Sequence, residues 1–543
     1  MSWSAAADCA GLCAALSATR HGASTCIIQD RPGFGGNSSS EIKVKPLGAD
    51  RYHVYGRETG IISELLAEER AVNHTEFFTD NGVMNSVWDM ILYDKVVTQP
   101  NLTYHLNTTV RDVIMDGKDK IDAVVCTVAN AETEITVQGK IFLDCTGDGV
   151  VAAAAGCEWR MGEEARTEFN EPHAPGKVSE NTMGSSLHFT TKDVGYPIPY
   201  QAPSWAAEYN DPDFFYKKTG RIPYNQKGGY WWLELSAPWN TIYDNETLRH
   251  ELTRHTMGVW DWVKNKDPFL KDVVANWALD WIGQVPGKRE SRRLMGLYLM
   301  TEKDVTEDAN FYDEIAYAGY YMYIHEIGGL LAKFSEALSV AESGGGNDEN
   351  EAAREMAVTA YATPVGIPLR ALVSKDVRNL MVAGRNLSAT HVAFARMRVQ
   401  GITSLMGQAA GTAAAIALNA GVAVRDVPVF DLQQALLKDG CFLLTHKNED
   451  SADLARKATA SAEHSAMLFG IGPNNRNWVN DFFPVVHSSP VVLNKRTAQW
   501  ISVGKEGLQS VSVCLNNDSD EIQRVRACLM PVKHIWDYNN LES

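Results

Sequence analysis

The groups best equipped for chemistry in this chain are one histidine, a knot of arginines and three glycine-rich turns. His391 stands seven residues before Arg398. An imidazole titrates near neutrality, so a histidine beside a reacting carbon can take the proton of a hydroxyl or amine. The same histidine could equally cap a helix or satisfy a core. Arg289, Arg292 and Arg293 crowd into Arg289-Glu290-Ser291-Arg292-Arg293. On helical spacing Arg289 and Arg292 share a face, with Arg293 beside it. Guanidinium forks suit a carboxylate or a sugar acid, and they suit salt bridges to the chain's surplus acids just as well. The turns are Arg31-Pro32-Gly33-Phe34-Gly35-Gly36-Asn37-Ser38, Thr146-Gly147-Asp148-Gly149 and Gly384-Arg385. Glycine removes the side chain that would keep backbone N–H groups away from a phosphate or a planar ring.

These turns sit where an α/β unit would put them. Ala10, Leu12, Cys13, Leu16 and Ala18 make a small apolar helical face that stops at His21-Gly22. Thr25 to Gln29 then reads as a short buried strand ending at Asp30, where a carboxylate can accept from ribose hydroxyls. Helix, glycine turn, strand and terminal acid form the second half of a β-α-β nucleotide-binding unit. Leu102 to Ile114 alternates as one strand, Ile121 to Val128 and Glu134 to Val137 continue a meander, and Lys140 to Cys145 is a buried strand entering the Thr146 turn. Asn379 to Ala383 repeats that pattern before Gly384-Arg385, and a small-residue helix runs from Gly401 to Ala420. Within it, Gly407-x-x-x-Gly411 permits close helix packing. Tyr230-Trp231-Trp232 with Glu234 either lines a pocket or simply packs in a strand.

Composition limits the field. The 543 residues hold 45 % hydrophobic and 22 % charged residues, a globular balance that needs more than one folding unit. Asp and Glu number 67 against 50 Lys and Arg, a net charge of −17, which disfavours nucleic acid and anionic membrane as partners. No run reaches the ~18 uninterrupted apolar residues of a membrane span. Nine scattered cysteines without Cys-x-x-Cys spacing argue against a metal site or a disulfide framework, and for a reducing, cytoplasmic setting.

The ordered fragments resemble the FAD-dependent oxidoreductase family, of the glutathione-reductase-like class with two dinucleotide folds, whose members are often grouped with carbohydrate-degrading enzymes. The resemblance rests on Gly35 to Ile42, Arg289 to Arg293, Gly366-Ile367-Pro368-Leu369-Arg370, Ala383 to Val392, and Arg398 through Met406-Gly407 to Thr412. It implies an FAD site formed by Gly11, Asp30, Arg31, Gly35, Gly36, Asn37, Ser38, Val110, Thr146, Gly147, Asp148, Gly384, Arg385, Met406 and Gly407, with Arg385 beside the ribityl-phosphate chain. The arginine cluster could also meet the flavin O2 edge. The helix from Gly401 would aim its N-terminus at the flavin's pyrimidine side.

One departure stands out. Where that family has Gly-x-Gly-x-x-Gly, this chain has Ala6-Ala7-Asp8-Cys9-Ala10-Gly11, with few residues left for the first strand. Asp8 is expected to face and repel the pyrophosphate, and a missing strand would leave its sheet neighbours unpaired. A mis-called gene start, a working variant and a loss of FAD each account for this.

The expected fold is therefore α/β: a Rossmann-like FAD-binding domain from residues 1–165 and 346–440, an inserted α+β cap at 166–345, and a β-sandwich-like domain at 441–543. The expected function is hydride transfer between a small hydroxylated or anionic substrate, a sugar or sugar acid among the candidates, and flavin N5. His391 moves the proton, and Arg292, Arg293 or Arg398 orients the substrate. An electron acceptor of unknown kind and a possible homo-oligomer complete the partners. The alternatives are a flavin-free binding protein and a flavin-dependent lyase or isomerase acting on glycosides without net redox.

Overall fold

The computed structural model describes residues 2–5, 8–49, 57–73, 84–219, 221–223, 225–306, 309–320, 322–325, 327–332, 364–459, 461, 515–517 and 519–530. Its centre is a five-stranded parallel sheet. The strands are β1 (Ser2–Ala5), β2 (Thr25–Ile28), β3 (Leu102–His105) and, further along the chain, Ile141–Asp144 and Leu380–Val382. Their order is Leu380–Val382, Ile141–Asp144, β1, β2, β3. Thr25-Cys-Ile-Ile and Ile141-Phe-Leu-Asp are buried throughout, as strands covered on both faces must be. Sheet strands thus come from widely separated parts of the chain.

The first strand is present, contrary to expectation. β1 pairs in parallel with β2 (Ser2 opposite Thr25) and with Ile141–Asp144 (Ser2 opposite Ile141), so neither neighbour has an open edge there. Four residues suffice because every backbone group of a central strand finds a partner on each side.

A second correction concerns Leu102 to Ile114, which is two strands in different sheets. β3 ends at His105; β4 (Thr108–Met115) then pairs antiparallel with β5 (Ile121–Val128), which pairs with β6 (Thr133–Gln138). Asn107 makes the corner with φ 52°, a left-handed conformation that asparagine tolerates.

Helix α1 (Cys9–Arg20) lies against the 21-residue helix Gln400–Ala420. Their backbones nearly touch: a Cβ on Gly407 would sit 2.0 Å from the Ala10 carbonyl oxygen, and one on Gly411 2.1 Å from that of Ala14. Gln400–Ala420 is long and apolar enough to cross a membrane, but 89 % of its most apolar window is buried inside the protein.

Between Ile141–Asp144 and Leu380–Val382 the chain forms an antiparallel pair, Phe189–Asp193 with Trp277–Ile282, a three-stranded sheet (Glu234–Leu235, Ser185–Ser186, Gly287–Lys288) and the helix Asn245–Asp261. The core there is aromatic. Tyr230 stacks on Trp232 with centroids 5.1 Å apart and planes 9° apart, so this run packs, and it does so in a turn rather than a strand.

Of the expected C-terminal β domain, Val485–His487 and Trp500–Val503 lie outside the described residues, as do Val511–Cys514 of the run ending at Leu515. Val525–Leu529 is described and forms no strand; Val525 and Leu529 are 54 % and 68 % exposed.

Candidate active site

A cavity of about 220 Å³ opens at the carboxyl ends of the parallel strands, where open α/β sheets place ligands. Asp30, Arg31, Gly36, Asn37, Val110, Thr146, Asp148 and Arg385 all line it, eight of the residues expected there. Asp8, Asn245 and Lys288 add to its polar wall. A larger hollow of about 500 Å³, between α1 and α2 (Ile61–Asn73), contains none of the expected residues, and its Arg20 is spent on Glu64 at 2.8 Å.

The remaining expected positions fall outside the cavity lining. Gly35 and Ser38 brace the loop from behind: the Ser38 hydroxyl donates to the Gly35 carbonyl at 2.8 Å and accepts from Trp88 Nε1 at 2.9 Å. Gly147 lies under the Arg385 side chain. Gly384, with φ 126°, faces Asp8; a Cβ there would lie 3.6 Å from the Asp8 carboxylate. Gly11 donates its backbone N–H to Asp8 Oδ1 at 2.9 Å. Met406 and Gly407 are buried in the helix pair, and Gly407 meets the α1 backbone.

Charge across the cavity is arranged around Asp148. Its carboxylate accepts from Arg385 at 2.6 Å and Lys288 at 2.7 Å, and Ser291 Oγ donates to it at 2.8 Å. Burial alone would push this carboxyl up, but the two cations outweigh it and hold it well below the ordinary range. The contribution to stability is present above the unfolded carboxyl's pKa and fades as the pH falls through the lower folded value. Asp148→Asn should cost about 1–2 kcal/mol at neutral pH, since the cavity screens the pair. A urea midpoint equal to wild type would show that the two cations do not need this carboxylate.

The cavity fits the adenosine and diphosphate portion of a dinucleotide. Asp30, just beyond β2, lines it with a carboxylate able to accept from a ribose hydroxyl. Two buried polar atoms in its wall have no hydrogen-bond partner among the described residues: Arg31 Nη1, 4.0 Å from the Glu41 carboxylate, and Asn245 Oδ1. Buried orphans of this kind mark a place for an outside group. Gly36 (φ 55°) leaves the loop flush against Asp8, where a Cβ would come within 2.7 Å of the Asp8 Cβ.

An extended segment leads from this wall to the histidine. Lys288 and Ser291 hold Asp148; Glu290, between them, accepts from His391 Nδ1 at 3.0 Å. His391 is the first residue of the helix His391–Met397, capped by Thr390, and is 2 % exposed. Its Nε2 has no hydrogen-bond partner among the described residues; Glu163 Oε1 lies 4.0 Å away. Burial opposes the imidazolium, but Glu290 and Glu163 together overcome it and leave the His391 pKa above its ordinary value. Glu290 is correspondingly lowered, because His391 and Arg293 outweigh its own burial. Glu290 and Glu163 had no role in the sequence reading. The one signal was an acid embedded among three arginines.

The arginines divide by task, and none lies on a helix, which corrects the shared helical face. Gly287–Lys288 and Arg293–Leu294 are short strands with Arg289 to Arg292 in between. Arg289 is structural: it donates to the Gly184 and Trp231 carbonyls, to Ser186 Oγ at 2.7 Å, and pairs with Glu234 at 3.3 Å. Arg293, 1 % exposed, pairs with Glu164 at 3.1 Å and donates to the carbonyls of Ala389 and Gly162, so its fork is committed to the protein. Arg292, half-buried, reaches the Asp148 carbonyl at 3.3 Å and lies over Trp159. Arg398 donates to the Tyr323 carbonyl at 2.9 Å, lies over that ring, and keeps an unpartnered buried Nε. Desolvation, then Arg289, weakens its hold on its proton.

The sheet, the carboxyl-edge cavity and its orphaned polar atoms define a dinucleotide-binding α/β protein. Sequence comparison sharpens this: the model of the family described as FAD dependent oxidoreductase matches residues 7–436, and the chain belongs to that family. FAD is its cofactor. No curated protein matches the chain. Similar solved structures include the flavin-dependent brominase Bmp2, at 14 % identity and TM-score 0.37 over 80 % of this chain and 83 % of that one. Another is the myxobacterial chondrochloren halogenase CndH, at 9 % and 0.37 over 80 % and 78 %. A third is the p-nitrophenol 4-monooxygenase PnpA from Pseudomonas putida DLL-E4, at 11 % and 0.27 over 55 % and 69 %. The altered turn does not remove the chain from the FAD-dependent family.

Proposed function

We propose that this chain oxidises a small hydroxylated substrate, with His391 taking the hydroxyl proton and FAD taking the hydride. The observation that carries this reading is the buried His391–Glu290 pair with an imidazole Nε2 left unbonded among the described residues. When bound, FAD supplies a hydride acceptor at flavin N5. Glu290 fixes the tautomer by accepting at Nδ1, leaving Nε2 to accept a proton from the substrate. The carboxylates of Glu290 and Glu163 also stabilise the imidazolium that results. The substrate loses two electrons and two hydrogens, one as hydride and one as proton, and an electron acceptor outside the chain restores the oxidised flavin.

Those carboxylates favour a neutral hydroxyl over an acid. With Arg293 spent on Glu164, an anionic group would have to rely on Arg292 or Arg398. Sugars belong to the class by virtue of their hydroxyls; sugar acids suit it less well.

The test is anaerobic mixing of the purified flavin-loaded chain with a panel of alcohols, sugars and hydroxy acids. Bleaching of the flavin band near ~450 nm is the expected result for a true substrate. Conversion of a glycoside without bleaching would overturn hydride transfer in favour of elimination or isomerisation.

A further inference from the structure

Asp8 sits where the backbone at the head of α1 would otherwise be open to an anion. Its Oδ1 already takes the Gly11 N–H at 2.9 Å, one of the first free amides of a 12-residue helix. It is hemmed in by Gly36 on one side and Gly384 on the other, and it lines the same 220 Å³ cavity as Arg31, Lys288 and Arg385. Asp8 is thus an internal anion built into the place where a diphosphate finds its amides.

We propose that FAD binds this chain with uptake of one proton at Asp8, so that the diphosphate and an ionised Asp8 exclude each other at the head of α1. Bound to its proton, the carboxyl ceases to repel and becomes an O–H donor toward a phosphate oxygen. Proton and charge balance: chain with Asp8 ionised, FAD and one proton give the complex with Asp8 neutral. The surroundings support this exchange. Desolvation pushes the Asp8 carboxyl up to about 6, against the pull of the Gly11 N–H and then of Arg385 and Arg31.

The other groups facing Asp8 do not supply the proton change. From α1 itself, Cys9 is pushed up to about 12 by burial and stays a thiol. From the turn after Ile141–Asp144, Asp148 is held ionised by Arg385 and Lys288. From the loop after β2, Arg31 is a cation that draws the Asp8 carboxyl down, and Asp30 lines the same cavity. From the loop after Leu380–Val382, Arg385 is a cation engaged with Asp148.

The experiment is FAD binding to the full chain, followed by flavin fluorescence between about pH 5.5 and 8.5, with calorimetry at pH 8 in buffers of different ionisation enthalpy. Wild type should lose affinity about tenfold per pH unit above the Asp8 titration and take up close to one proton at pH 8. Asp8→Asn keeps an oxygen for the Gly11 N–H but has no proton to gain. It should bind FAD with a flat pH profile, at least tenfold tighter than wild type at pH 8, with no buffer dependence. Wild-type affinity that does not change with pH overturns the proposal. So does proton uptake that survives in Asp8→Asn, which would place the proton on another group. Should Asp8→Asn not fold, the wild-type calorimetry decides alone, because zero proton uptake at pH 8 rules the exchange out.

Discussion

Replacing His391 with Ala should slow anaerobic flavin reduction ~10²-fold or more while FAD stays bound. The imidazole is buried against Glu290 and does not line the cavity that suits the adenosine and diphosphate, so its loss removes a proton acceptor and leaves that cavity's lining in place. The pH dependence gives the sharper reading. A base must be neutral to act, so the reduction rate should rise with pH through the His391 titration. Burial pulls that titration down, but Glu290 and Glu163 pull it up further, so the rise is centred above about 6.5. Glu290→Gln takes away the larger upward pull, and the rise should move to lower pH as the maximal rate drops. A merely structural histidine would leave the pH profile unchanged in both variants. Stability runs the opposite way. The ion pair contributes fully below the unfolded histidine's pKa and is lost as the pH climbs through the raised folded value, so activity should appear as that increment disappears.

How much of this was legible in the sequence depended on whether the signal was local. Thr25 to Gln29, Lys140 to Cys145 and Asn379 to Ala383 read as strands because three or four consecutive apolar residues between turns have few other uses in an α/β chain. Residues of the turns that follow them, Asp30, Gly36, Asp148 and Arg385, converge on one cavity for the same reason: parallel strands deliver their carboxyl ends to one edge. What failed needed information from far along the chain. A single alternating run from Leu102 to Ile114 hides its corner at Asn107, because the side-chain alternation says nothing of the sheet change. Arginine spacing suggested a helical face, yet Gly287 to Leu294 takes its shape from pairing with Ser185–Ser186 and Trp159–Arg160, partners over a hundred residues earlier. The resemblance put Met406 and Gly407 at the cofactor, whereas the small-residue spacing Gly407-x-x-x-Gly411 pointed to close helix packing, and Gly407 does meet the α1 backbone. Glu290 became visible only when His391, 101 residues away in sequence, came to rest on it.

That closeness to α1 makes Gly407→Ala a damaging change. An added Cβ would lie 2.0 Å from the Ala10 carbonyl oxygen and 2.8 Å from its Cα, and those are backbone atoms that cannot rotate aside. The two helices would have to separate by about an ångström or more, since carbon and oxygen need roughly 3 Å or more between centres. Separation would also stretch the 2.7 Å Ser17–Thr412 hydrogen bond and loosen the buried alanines on both faces. Overpacking of a tight core costs typically about 1–3 kcal/mol, and a rigid backbone obstacle puts Gly407→Ala at about 3 kcal/mol or beyond. Because α1 carries Asp8 and Gly11 at its head, the same displacement should lower flavin retention. Gly33→Ala is the control, since a Cβ there meets nothing within 4 Å. Urea unfolding of the two variants separates the causes: a large drop in midpoint for Gly407→Ala and little for Gly33→Ala is expected. Equal midpoints for Gly407→Ala and wild type would mean that the helices have room to part, and that their close approach contributes little to holding α1 in place.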